Sequence, residues 1–202
     1  MNRRQLHREL DKLANEGKRY KVLLHACCAP CSSACLDYLV KYFDVTVFYS
    51  NSNIDNREEY EKRKAEEQRL IKEMCPQVGF AEGHYDPDNF HRLVKGHEKE
   101  KEGGERCAIC FEMRLSETAK YAAENGFDYF GTTLTLSRQK DAIQLCGIGE
   151  AVGEKYGVKY LPSDFKKKGG DLKAIELSEK YGLYRQNYCG CSFSRAAAEK
   201  EI

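Results

Sequence analysis

No apolar run in this 202-residue chain approaches the roughly 18 residues a bilayer-crossing helix requires, so no membrane role is expected. Charge of one sign is also missing. The 33 lysines and arginines are matched by 32 aspartates and glutamates, and a formal charge of +1 gives no global pull toward nucleic acid, while leaving room for a local basic patch. The opening stretch, MNRRQLHRELDKLANEGKRY, is charged throughout and lacks the apolar segment of a secretory signal, so the chain is expected in the cytoplasm. There is no Walker A pattern and no GxGxxG, and Gly147, Gly149 and Gly153 are too loosely spaced inside a helical pattern to replace one. Internal repeats, low-complexity tracts and linkers are absent, which leaves residues 1–202 as a single domain.

Short β-branched or aromatic runs alternate with longer amphipathic stretches. The pattern predicts strands over 20–27, 45–50, 79–82, 129–133 and 158–161, and helices over 32–42, 57–74, 89–101, 106–125, 139–156 and 172–181. In the helix over 57–74, Tyr60, Lys64, Glu67 and Ile71 are mostly polar, so it should lie outside with a narrow buried stripe. Gly126, Gly157 and Gly182 stand where left-handed helix caps are expected. Such alternation implies an α/β fold, doubly wound around a mainly parallel sheet of about five strands. Ligands of these sheets collect beyond the carboxyl ends of the strands, and the first cysteine group, the TTLTLS segment and Pro162–Asp164 all fall there.

What the chain has in plenty is cysteine, ten in all, most of it in three groups: Cys27-Cys28 with Cys31, Cys107 with Cys110, and Cys189 with Cys191. In a reducing compartment, grouped thiols point to metal or redox chemistry rather than to a disulfide scaffold. Adjacent strand residues face opposite ways, so Cys27 and Cys28 reach one centre only if the strand breaks there, and Ala29-Pro30 supplies the break. Cys107 and Cys110 lie at i and i+3 at a helix start, where thiolate is favoured. Together with Cys27 and Cys28 they make four ligands, the number a 4Fe-4S cluster requires. Cys31 forms its own CxxC with Cys28 and would serve only if Cys27 turned away. Cys189 and Cys191 flank one glycine, as a labile disulfide or as a claw on a second metal ion. Cys35, Cys75 and Cys146 read as core or surface residues, His25 as a bonded core residue, and His84, His91 and His97 as solvent-facing. Asp164 is a candidate for metal binding or proton delivery, against a helix or turn cap.

HACCAPC at the first strand end, YSNSNIDNREEYEKR after the second, CAICFEMRL on the central helix and the late YCGCSFS together resemble the cobalamin-independent QueH family of epoxyqueuosine reductases, over about residues 21–195. The resemblance implies a sheet similar to that of the PP-loop ATP pyrophosphatases (HUP, Rossmann-like) with a helical C-terminal segment, and with cysteines where those proteins cradle phosphate, so no use of ATP. It implies a 4Fe-4S cluster on Cys27, Cys28, Cys107 and Cys110, a redox-active pair at Cys189 and Cys191, and a second, mononuclear iron as an option. It implies tRNA carrying epoxyqueuosine as substrate and an unidentified electron donor. Ser52 departs from the family, in which proline is frequent there. Arg106, Arg114 and Arg138 are candidates for tuning an anionic cluster. Lys166, Lys167, Lys168, Arg185, Arg195, Arg3 and Arg4 are candidates for phosphate contact. Two rival readings remain: a zinc-stabilised RNA-binding module, and a thiol–disulfide oxidoreductase without metal.

Overall fold

The computed structural model describes residues 3–200, the side chains of residues 3–7 and Lys168 excepted. Residues β1 (Lys21–Ala26), β2 (Asp44–Tyr49), β3 (Gly79–Glu82), β4 (Tyr129–Thr132) and β5 (Lys159–Tyr160) form one parallel sheet in the order β3-β2-β1-β4-β5. Helices α1 (Arg3–Ala14), α2 (Ala29–Leu39), α3 (Arg57–Met74), α4 (Pro87–Leu93), α5 (Glu105–Glu124), α6 (Ala142–Tyr156), α7 (Gly170–Lys180) and α8 (Ser192–Ala198) complete it. The expected α/β, doubly wound architecture is the one observed. No helix among the described residues is long and apolar enough to cross a membrane.

β1 is central, and every residue after Lys21 is buried, as expected of a strand covered on both faces. Its period of two divides the core. Val22, Leu24 and Ala26 join Val45 and Val47 in a cluster with Cys35, Leu36 and Leu39 of α2. Leu23 joins Phe48 and Phe130 in a second cluster with Phe111 and Leu115 of α5 and Leu145 and Cys146 of α6. The odd-numbered face therefore carries Leu23, then His25, then Cys27 toward α5. Strand order reverses between β1 and β4, and the ends of these two strands form the switch point at which such sheets bind ligands.

Local chemistry moves several boundaries. Pro30 sits in the first turn of α2, so that helix begins at Ala29, with Cys28 as the extended residue before it at φ −171°. The helix expected over 89–101 is only α4, because Asp86 caps its start, accepting from the Asn89 N–H at 3.0 Å, and Gly96 turns the chain at φ +94°. The charged opening stretch, to which the sequence pattern assigns no element, forms α1 and buries Leu10. Gly126, Gly157 and Gly182 take positive φ after their helices, as expected. Gly149 and Gly153 serve packing: a Cβ on Gly149 would come 2.4 Å from the Tyr160 ring, and one on Gly153 2.6 Å from the Val158 carbonyl.

Candidate active site

At the switch point the Sγ atoms of Cys27, Cys28 and Cys31 lie within 4.8 Å of one another, those of Cys27 and Cys28 3.8 Å apart. The strand ends at Ala26 and α2 begins at Ala29, so the vicinal pair occupies the break and Cys31 comes round on the first helical turn. Cys31 thus stands with the pair itself, not as a substitute for Cys27. Across the switch, Thr133 Oγ1 is 3.9 Å from Cys27 Sγ. Cys27 receives hydrogen bonds from the Cys28 and Cys31 thiols and faces the charges of Arg114 and Lys140, so its pKa is held well below the ordinary thiol range despite burial. Cys28 is pushed up to about 12, first by its bond to Cys27, and Cys31 is raised for the same reason. The arrangement favours the thiolate at Cys27 over Cys28 and Cys31.

The other two cysteine groups share a cavity of about 110 Å³. Its walls include Cys107 and Cys110 from the first turn of α5, Cys189 and Cys191 from the segment before α8, and Asn53 and Lys140. Cys27 and Cys107 pack against one apolar cluster, and Cys110 and Cys191 belong to another with Phe90 and Val94. Helix α5 places its N-terminus at the cavity, but the expected bias to thiolate is overruled. Burial pushes Cys110 up to about 12 and raises Cys107, against the Arg114 charge and the Gly103 N–H, which donates to Cys107 Sγ at 3.3 Å. Burial also lifts Cys191, to about 11. Thiols so desolvated ionise only against a cation or a metal.

Charged side chains join the two groups. Arg114, 1% exposed, donates to His25 Nε2 at 3.2 Å and to Asn51 Oδ1 at 2.5 Å, and its Nη1 has no hydrogen-bond partner among the described residues. It feels the charges of Cys110, Cys27 and Cys189. His25 is a bonded core residue as expected, held neutral with a pKa near 3 by burial and by Arg114, with Nδ1 2.9 Å from Thr132 Oγ1. Burial works against the charge on Lys140, yet Cys189, Cys27 and Cys31 outweigh it and hold the ammonium above the ordinary lysine range. On the far side, Arg63 is 1% exposed, donates from Nε to Glu59 at 2.6 Å and from Nη1 to the Cys189 carbonyl at 3.0 Å, and leaves Nη2 without a partner among the described residues. Glu67, fully buried, has its pKa lifted to about 8 by desolvation.

The other residues singled out from the sequence take mixed places. Arg138 is tied to Asp171 at the surface, Nε to Oδ2 at 2.6 Å. Arg106 is buried and donates to the carbonyls of His97, Glu98 and Glu100, so it braces the chain before α5 while its charge favours the thiolate forms of Cys107 and Cys191. Lys166 donates to the Thr135 and Lys140 carbonyls at 3.1 and 3.0 Å and is not free for phosphate. Lys167 and Arg185 are exposed and Arg195 half-buried, while the side chains of Arg3, Arg4 and Lys168 lie outside the described residues. Asp164 is buried 3.4 Å from Lys166 Nζ, outside the walls of the cysteine cavity. Cys35, Cys75 and Cys146 are buried core residues. His84 and His91 are exposed, but His97 is half-buried and bonded to Glu100 at 2.8 Å, and with Glu100 and Glu105 it forms a compact group at the start of α5. Ser52, where the family favours proline, donates to the His84 carbonyl and accepts from the Asp86 N–H.

Lys140, Asn53, Arg63 and Glu67 were not singled out as site residues from sequence. A signal for the last two existed: the buried stripe of α3 is Tyr60, Arg63, Glu67, Leu70 and Ile71, with two charges at positions the helical period turns inward. Lys140 and Asn53 lie on loops and carry no such periodic mark.

Residues 22–197 match the family model described as Epoxyqueuosine reductase QueH. Proteins named epoxyqueuosine reductase QueH are similar over most of the chain. One from Streptococcus pyogenes is 44% identical over 183 residues, 89% of this chain and 72% of that protein. One from Staphylococcus epidermidis is 41% identical over 195 residues, 94% and 82% of the two chains. One from Thermotoga maritima is 36% identical over 179 residues, 86% and 89%.

Proposed function

The chain belongs to the epoxyqueuosine reductase QueH family, and from that premise we propose that it is an iron–sulfur oxidoreductase of the cytoplasm that removes the epoxide oxygen of epoxyqueuosine in tRNA. One observation carries the reading: Cys27, Cys28 and Cys31 gather at the switch point of the sheet, Cys107, Cys110, Cys189 and Cys191 line one cavity, and a buried guanidinium, Arg114, feels charges from both groups.

The residues fit a thiolate-bound cluster. Cys27, Cys28, Cys107 and Cys110 would hold it, with Cys31 beside the first two. Four thiolates are an anion, and Arg114, whose buried Nη1 has no hydrogen-bond partner among the described residues, feels the charges of Cys110 and Cys27. A bound cluster would supply electrons one at a time. Loss of the epoxide oxygen as water takes two electrons and two protons. The Cys189/Cys191 dithiol balances the step: its two S–H bonds break, an S–S bond forms, both C–O bonds of the epoxide break, and an alkene and water leave. Lys140 keeps a positive charge at the cavity wall beside Cys189 and opposes the negative charge that develops on the departing oxygen. Phe90 and Phe111 give the same wall an apolar stretch. The modified nucleotide has to leave its stack to reach this cavity, with the rest of the tRNA held through its phosphates.

Anaerobic purification with an absorption spectrum and iron and sulfide analysis tests the reading. A broad band near 400 nm (roughly, for thiolate-bound iron–sulfur centres) is expected, lost in Cys107→Ser and kept in Cys189→Ser, which stops turnover. A colourless zinc protein, or turnover that survives chelation and Cys107→Ser, would replace it with one of the rival readings.

A further inference from the structure

The turn that carries the Cys189/Cys191 pair rests on a fitted seat. Gly190 has φ +130°, a conformation side chains rarely adopt, and a Cβ there would lie 2.8 Å from Ile54 Cγ1, 3.2 Å from Arg63 Nη1 and 3.5 Å from Asn53 Nδ2. Arg63 Nη1 donates to the Cys189 carbonyl at 3.0 Å, and its guanidinium lies 5.1 Å from the Tyr188 ring centre. Two further bonds close the turn: the Cys189 N–H donates to Ser194 Oγ at 3.0 Å and the Ser192 N–H to Asp55 Oδ2 at 2.9 Å. Arg63 is itself fixed by Glu59, whose carboxylate also accepts from Tyr184 at 3.1 Å. The same guanidinium interacts with the charges of Cys28 and Cys27, so one buried cation touches the turn and faces the thiol cluster.

Building on the reading above, we propose that Arg63 is a positioning residue for the redox pair: it seats the Cys189–Cys191 turn beside the cluster cysteines and, by its charge, makes the pair easier to reduce. The disulfide is uncharged, whereas reduction with one proton leaves a thiol and a thiolate: Cys189–S–S–Cys191 + 2e⁻ + H⁺ → –SH + –S⁻. A buried cation bonded to the turn stabilises that negative charge and so favours the reduced side of the exchange. A purely mechanical clasp would hold the turn without this electrical effect, and the two roles separate by experiment.

The test uses the anaerobic holoprotein, equilibrated in mixtures of reduced and oxidised dithiothreitol and read by alkylation and mass spectrometry, with no tRNA present. In Arg63→Gln the Cys189/Cys191 equilibrium is expected to move about tenfold toward disulfide, which is about 30 mV for a two-electron couple, with the visible absorption band kept. Arg63→Lys keeps the charge but cannot form the same fork, so its equilibrium should stay within threefold of the parent. In both variants Cys189 should alkylate at least fivefold faster, with Cys107 unchanged. A Gln variant whose equilibrium matches the parent, or a Lys variant that shifts as far as Gln, overturns the proposal. If the Gln variant does not fold, the Lys variant decides alone: unchanged Cys189 alkylation, or a tenfold equilibrium shift, overturns it. The readout needs neither epoxyqueuosine nor turnover, so it stands apart from any failure of the assigned reaction.

Discussion

Ser32 has one hydroxyl hydrogen and two acceptors, the Cys28 carbonyl at 3.2 Å and Glu67 Oε2 at 2.9 Å. A protonated Glu67 resolves the conflict: the carboxyl donates to Ser32 Oγ, and Ser32 donates to Cys28. The other oxygen, Oε1, has no partner among the described residues, which a neutral acid tolerates far better than a carboxylate. Desolvation lifts Glu67 from 4.5 to about 8. Between those values the folded chain holds a proton that the unfolded chain releases, so stability falls as pH rises through that window, by up to about 1.4 kcal/mol per pH unit. Glu67→Gln is therefore expected to flatten the fall in Tm between pH 5 and pH 8, at about 2–4 °C per kcal/mol for a chain of this size; parallel melting curves for parent and variant would refute it. Gly190→Ala tests the seat of the Cys189–Cys191 turn. Its backbone conformation and the nearby Ile54 predict loss of turnover of tenfold or more with the absorption band intact, and a variant with parental turnover would show that the seat does not matter.

Helix α3 carries both Arg63 and Glu67. Asn56 caps its start, accepting from the Glu59 N–H at 2.8 Å, and so also sets where Glu59 stands against Arg63. Asn56→Ala should cost about 1 kcal/mol, seen as a lowered urea midpoint at unchanged slope, and a midpoint equal to the parent's would leave the cap without energetic weight. Helix α6 lies on β5 through Gly149, and a methyl there must displace the Tyr160 ring. Gly149→Ala is expected to destabilise by about 1–3 kcal/mol although alanine is the better helix former, and a stabilised variant would mean that Tyr160 swings away freely. Helix α5 was legible in advance from its period and its CxxC, and α4 was not legible in length. Residues 95–101 are almost all polar and carry no clear stop except Gly96, while the helix already ends at Leu93, three residues before that left-handed glycine.

At the scale of the molecule, if tRNA is the substrate as proposed, the balanced charge would leave its binding to local groups, for which Lys167, Arg185 and Arg195 are the candidates. The affinity of catalytically silent Cys189→Ser protein for tRNA should fall steeply from 50 to 200 mM salt, and the Arg185→Ala slope of log K on log salt should be shallower by roughly one contact, about 0.7–0.9. Equal slopes would remove Arg185 from the interface. Much of this organisation was written along the chain. Unbroken burial of β1, the strand–helix alternation and three cysteine groups follow from local periodicity and spacing, and they sufficed for a doubly wound sheet with the first cysteine group at the end of its central strand. Tertiary structure alone decided which partners the buried charges found. Arg138 and Lys166 bear the same charge as Arg114 and Lys140, yet the first two are spent on Asp171 and on backbone carbonyls, and the latter two stand by the sulfurs. Spacing dictates local geometry because neighbouring residues share a backbone, whereas electrostatics in a desolvated interior depends on distances between segments far apart in sequence, and these exist only once the sheet has closed.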